Sequence, residues 1–150
     1  MESEYLNLLR RFHAERVEYV VVGGYAVIAH GFPRTTGDID LLVQPTAENA
    51  TRVVRALVGY GFVKGEFEEA DFTTTPNFLS FSKGEVWIDL MTQLLGVTFE
   101  ECAADALVVE MAGVPVPYIN LRALRKAKAA TGRPQDLQDL ENLPPTDFTV

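Results

Sequence analysis

The stretch from Val17 to Val43 constrains the fold more than any other part of the chain. VEYVVV, residues 17–22, has the unbroken apolar character of a buried strand, the pair Gly23 and Gly24 ends it, and a second strand pattern, IDLLV, follows at 39–43. Between them YAVIAH, residues 25–30, has the length of a short helix, with Gly31 and Pro33 as its stop signals. Upstream, Tyr5, Leu8, Leu9 and Phe12 fall at helical spacing and predict an amphipathic helix over 3–15. Downstream, Thr46 caps a helix whose apolar positions Ala50, Val53, Val54, Leu57 and Val58 repeat on one face, and the glycines at 59 and 61 end it.

The second half adds antiparallel elements. FLSFS, residues 78–82, and VWIDLMT, residues 86–92, flank Lys83, Gly84 and Glu85 as a hairpin, which makes the sheet mixed. A short helix is expected near 99–104, then strands at LVVEM (107–111) and VPVPYI (114–119). The latter is expected at a sheet edge, because Pro115 and Pro117 cannot donate. Asn120 caps a helix through Ala130, Gly132 terminates it, and Pro134 opens a last helix with Leu137, Leu140 and Leu143 facing inward. A polar tail over 144–150 is expected to fray. The pattern predicts one domain of α/β or α+β class.

Composition narrows the function. At 150 residues, 47% of them hydrophobic and 23% charged without blocks, the chain suits one globular domain and one site. No apolar run approaches the roughly 20 residues a membrane span needs, and the amino terminus is acidic and amphipathic, so a cytoplasmic location is expected. The single cysteine, Cys102, excludes an internal disulfide and a multi-cysteine zinc site, and is expected to be a buried, inert thiol. A net charge of −8 argues against general nucleic-acid binding. A polyanionic substrate would need a local remedy, which divalent cations supply.

Three places could carry chemistry. Gly23 and Gly24 mark a strand-to-helix turn where free amides favour phosphate, although such turns also occur without a ligand. Asp38 and Asp40 flank Ile39, and a strand's period of two sets both carboxylates on one face about 7 Å apart, where a hard cation such as Mg²⁺ relieves their repulsion. The alternative is that Asp38 closes the turn begun by Thr35, Thr36 and Gly37, with Asp40 solvated. Asp89 lies among Trp87, Ile88, Leu90 and Met91, and wants either a metal or a structural ion pair. His30, one helix length from the glycines, reads as a packed or capping residue rather than a base. A dinucleotide-binding domain is set aside, because Gly23, Gly24, Tyr25 does not provide G-x-G-x-x-G.

GGYAVIAHGFPRTTGDIDLLV, residues 23–43, resembles the signature of the nucleotidyltransferase superfamily, the polymerase-β-like fold: a glycine pair, a short helix, then D-x-D. The following IDLMT aligns Asp89 with that family's third carboxylate. LRALRKAKAATGRPQDLQDLENL, residues 121–143, is similar to the carboxy-terminal segment of minimal nucleotidyltransferases related to the AbiEii toxins. Their helix lysine and R-P-x-D segment map onto Lys128 and onto Arg133, Pro134 and Asp136, with Lys126 as the rival lysine.

The resemblance implies a nucleotidyltransferase fold, a mixed sheet flanked by helices, and transfer of a nucleoside monophosphate from an NTP such as ATP, with pyrophosphate leaving. It implies that Asp38 and Asp40 hold Mg²⁺ on the triphosphate, while Asp89 completes a second metal site and helps deprotonate an acceptor hydroxyl. Gly23 and Gly24 would hold phosphates, Lys128, Arg133 and Arg34 would supply positive charge, and Asp136 would orient Lys128. RNA, a protein and a small molecule are all open as acceptor. A member without turnover, serving as a binding partner in a toxin and antitoxin pair, is the alternative.

Overall fold

The structure, a computed structural model, describes residue 1 and residues 3–146. The first helix, α1 (Ser3–Ala14), leads into β1 (Tyr19–Val22), α2 (Gly23–Ala29), β2 (Ile39–Val43) and α3 (Ala47–Tyr60). A 3₁₀ turn at Glu69–Phe72 precedes the hairpin β3 (Phe78–Lys83) and β4 (Val86–Met91). Then come α4 (Phe99–Ala103), β5 (Leu107–Met111), β6 (Val114–Tyr118), α5 (Leu121–Thr131) and α6 (Pro134–Asn142). The strands form one six-stranded sheet in the order β3-β4-β2-β1-β6-β5. The pairs β1–β6 and β2–β4 are parallel and the other three antiparallel, so the sheet is mixed as expected.

The elements form where periodicity places them, with instructive shifts. Tyr5, Leu8, Leu9 and Phe12 of α1 are buried, and they pack on α3. The buried stripe of α3 runs through Asn49, Ala50, Val53, Ala56 and Leu57, so Val58, expected inside, lies 42% exposed. The 3.6-residue period from Ala50 through Val53 and Leu57 turns Val58 away, and Ala56 takes the place expected for it. Asn49 is buried because its amide donates to the carbonyls of Glu18 and Gln44, both at 2.9 Å, and its Oδ1 accepts from the Glu18 amide at 2.7 Å. One side chain thereby ties the start of β1 to the end of β2.

Two expectations fail for physical reasons. The proline strand β6 is interior, between β1 and β5. The Ile119 amide donates to the Val21 carbonyl at 3.0 Å, so the nitrogens of Pro117 and Pro115, two and four residues earlier, face the same neighbour. There β6 is registered to β1 only at Val21 and Tyr118, and the donorless positions interrupt no ladder bond. In α6, Leu137 is 51% exposed, and the inward positions belong to Asp136 and Asp139. Of the expected tail, residues 144–146 form no helix or strand, and 147–150 lie outside the described residues. Among the described residues no helix is long and apolar enough to cross a membrane.

The α1–α3 seam should be the main stabilising contact on its face of the sheet. Leu57→Ala, at a fully buried position, is expected to cost about 2–5 kcal/mol, measured as a lower urea midpoint with unchanged slope.

Candidate active site

Strand register builds the site. Asp40 on β2 is paired with Asp89 on the parallel strand β4, so the two carboxylates stand side by side on one face, with backbones roughly 4.8 Å apart. On the other side of β4, Ser80 is the cross-strand partner of Asp89, and its hydroxyl donates to Asp89 Oδ1 at 2.6 Å. Asp38 lies just ahead of β2 and is exposed. The turn before it is buttressed by Tyr5, whose hydroxyl donates to the Gly37 carbonyl at 2.7 Å. Among the described residues no group of three or more His, Cys, Asp or Glu could hold a metal ion as it stands. The sheet brings together a pair, with Asp38 as its exposed neighbour.

The pair is electrostatically frustrated. Burial first, then a hydrogen bond with Asp89 and the charges of Asp89 and Asp38, push Asp40 up to about 7, against a smaller opposing pull from Lys128. A cation placed between them would relieve the same repulsion.

The glycine pair answers to this geometry. Gly23 has φ +69°, and a Cβ there would run into the Asp40 carboxylate, while a Cβ on Gly24 would lie 2.5 Å from Thr36 Oγ1. The close approach of β2 and its preceding loop thus demands both glycines, whose side-chain space Asp40 and Thr36 occupy, and both still line the cleft. Helix α2 begins at Gly23 itself, two residues before its expected start.

Facing the carboxylates is a buried ion network. Lys128 on α5 is 8% exposed and lies 3.2 Å from Asp136 Oδ1 and 3.0 Å from Asp139 Oδ2. Asp136 also accepts from Thr131 Oγ1 at 2.7 Å, from the Arg133 amide at 3.1 Å and from Arg133 Nε at 2.8 Å. Burial opposes its charge, but the hydrogen bonds from Arg133, Thr131 and Lys128 prevail and hold it well below the usual carboxylate range. Asp139 accepts from Arg34 Nη2 at 3.5 Å through Oδ2, with Arg34 Nε 3.2 Å from Oδ1 as an ion pair, and from Gln135 at 2.8 Å. Asp136 and Asp139 are both fully buried, and three cations converge on them.

All nine expected site residues, Gly23, Gly24, Arg34, Asp38, Asp40, Asp89, Lys128, Arg133 and Asp136, line one cleft of about 520 Å³. A larger hollow of about 1000 Å³ lies along α4 and α5, where Lys126 pairs with Glu101 at 3.0 Å and Arg125 donates to the Leu140 carbonyl at 3.1 Å. Size does not mark the site here, since the carboxylate pair lies in the smaller cleft, and Lys126 faces away from it. The sequence reading passed over Asp139, Ser80, Tyr5 and the cleft wall of Phe78, Met91, Leu94 and Leu124. The spacing of Asp136 to Asp139, one helical turn, was the available signal for the first. His30 holds its Nε2 2.7 Å from the Ile119 carbonyl and does not line the cleft, and the Cys102 thiol is buried and pushed up to about 12 by burial and by Glu101 and Glu100.

The fold is similar to a solved structure from Thermotoga maritima, provisionally described as a nucleotidyltransferase, with TM-score 0.63 over 94% of this chain and 92% of that one at 21% identity. No family model and no curated protein matches the sequence. The six-stranded mixed sheet with its flanking helices is a nucleotidyltransferase-like fold.

Two measurements test the electrostatics. Folding keeps a proton on Asp40 that the unfolded chain releases near 3.8, so its contribution is whole below that pH and lost as pH rises through about 7. In buffer with EDTA, urea midpoints should fall over this window more in the native chain than in Asp40→Asn. Separately, Asp139→Ala leaves Lys128 and Arg34 short of a buried partner and should cost about 3–5 kcal/mol, whereas Lys126→Ala, on a half-exposed pair, should leave the urea midpoint in place.

Proposed function

We propose that this chain is a Mg²⁺-dependent nucleotidyltransferase that moves a nucleoside monophosphate from an NTP to an acceptor hydroxyl. The observation that carries this reading is the register of Asp40 with Asp89 at the floor of a cleft whose opposite wall holds Lys128, Arg34 and Arg133. The donor chemistry fits a hard divalent cation: oxygen ligands only, and a carboxylate pair in which the charge of Asp40 is opposed by burial and by Asp89 and Asp38. Asp40 and Asp89 would hold it, with Asp38 as a further donor. Bound there, Mg²⁺ offsets the carboxylate charge and stabilises the charge that develops on phosphate oxygens.

The protein's own groups then divide the work. The backbone at Gly23 and Gly24 lets phosphate approach closely, and the exposed Arg133 guanidinium can meet it directly. Lys128, held from behind by Asp136 and Asp139, contributes a fixed positive charge. Ser80 fixes the rotation of Asp89, which takes the proton of the acceptor hydroxyl. The acceptor oxygen bonds to the α-phosphorus as the bond to the β-phosphate oxygen breaks, and pyrophosphate departs.

Kinship with the AbiEii-related minimal enzymes, and with it a cognate antitoxin, belongs to the same proposal, as do a cytoplasmic location and one domain. A second reading, a binding module without turnover, is favoured by one observation: all three cleft cations are already paired with Asp136 or Asp139.

Purified protein given Mg²⁺ and each α-³²P-labelled NTP, with cellular RNA, protein and small-molecule fractions as acceptors, should transfer label. The double variant Asp38→Ala, Asp40→Ala should lose at least about a hundredfold. The labelled fraction identifies the acceptor, and absence of transfer with every NTP and fraction favours the binding module.

A further inference from the structure

The lining of the cleft is uneven. Arg34, Lys128 and Arg133 face the three aspartates across it, while Phe78, Met91, Leu94 and Leu124 supply a wall without charge. The sheet explains this wall. Phe78 is the cross-strand partner of Met91, one pleat beyond the Ser80–Asp89 pair and therefore on the same face as the carboxylates. Leu94 follows β4, and Leu124 lies one turn ahead of Lys128 on α5. Phe78 is 59% exposed, a large apolar ring left uncovered beside the charged centre. Polar side chains next to it are already engaged. The Asn77 amide donates to the Asp71 carbonyl at 2.8 Å, and its Oδ1 accepts from the Phe78 amide at 3.0 Å. The Thr92 hydroxyl donates to the Thr74 carbonyl at 2.7 Å and accepts from the backbone N–H of Asn77 at 2.9 Å.

We infer that this wall seats the nucleobase, with its ring against Phe78 between Met91 and Leu94 and the triphosphate running past the aspartates toward Lys128, Arg34 and Arg133. The inference rests on the nucleotidyltransferase reading and deepens it. Charge complementarity sets the placement: the polyanionic tail meets the cations and the uncharged disc the uncharged wall. A volume of about 520 Å³ is within the range of small-ligand sites and suits one nucleotide, which leaves the acceptor to approach over Asp89 from outside. Because the polar side chains of Asn77 and Thr92 beside the ring are committed to backbone groups, the base is chosen by stacking area rather than by hydrogen-bond pattern. Purines bind better than pyrimidines, and ATP and GTP are little distinguished.

Calorimetry in Mg²⁺ with inorganic tripolyphosphate, ATP, GTP, CTP and UTP tests this on the native chain, Phe78→Ala, Phe78→Trp and Asp40→Asn. ATP and GTP should bind more tightly than tripolyphosphate and within about tenfold of each other, since a site without polar readout discriminates weakly. Phe78→Ala should weaken both by on the order of tenfold, leave tripolyphosphate unchanged, and be rescued by Phe78→Trp. Tripolyphosphate binding that needs Asp40, together with an ATP advantage that survives Phe78→Ala or an ATP-to-GTP ratio above roughly a hundredfold, overturns the nucleobase seat alone. If neither tripolyphosphate nor any NTP binds in a manner dependent on Asp40, the seat and the nucleotidyltransferase reading fall together.

Discussion

Everything in the cleft depends on the parallel pairing of β2 with β4. That register sets Asp40 opposite Asp89, and with a strand period of two it also decides that Ile39, Ile88 and Leu90 enter the core while the acids point away from it. A slip of one residue would bury the acids and expose the isoleucines. The apolar partners therefore hold the acids together against their own repulsion, and burial supplies the force that the carboxylates oppose. Gly23 is a secondary consequence: with Asp40 so near the end of β1, no side chain fits there.

The other wall uses the opposite arrangement. Two carboxylates and three cations share the space around Lys128, so charge is nearly balanced within a few ångströms and the buried groups keep their hydrogen bonds. One wall is thus left with excess negative charge and the other is closely compensated, with Arg133 alone largely exposed to solvent among the three cations. On the proposed reading such a cleft would take up a cation first, and a polyanion would follow more readily once the floor is neutralised.

Much of this was legible in the sequence because it rests on local periodicity. The D-x-D and its Ile39, the caps at Thr46 and Asn120, the glycine stop at Gly132 and the hairpin around Gly84 all follow from spacing within a single element. What escaped depends on distant partners. Asp139 reads as a surface acid until Arg34, 105 residues away, is brought to it. Leu137 reads as core until that pairing claims the inward face of α6. The prolines of β6 suggest an edge until the side on which their nitrogens point is known, which the strand itself does not reveal. Phe78 carries no sequence signal, since its exposure depends on what fails to cover the β3–β4 hairpin.

The tie between Arg34 and Asp139 also bears on the order in which the chain is made. The loop ahead of the D-x-D is made before α6, which carries the carboxylate that anchors its arginine 105 residues later. Until that helix leaves the ribosome, the loop lacks its anchor and Lys128 lacks both of its carboxylates. The cleft therefore acquires its cationic wall only after the sheet is complete, and a nascent chain with folded strands would still be without a working site.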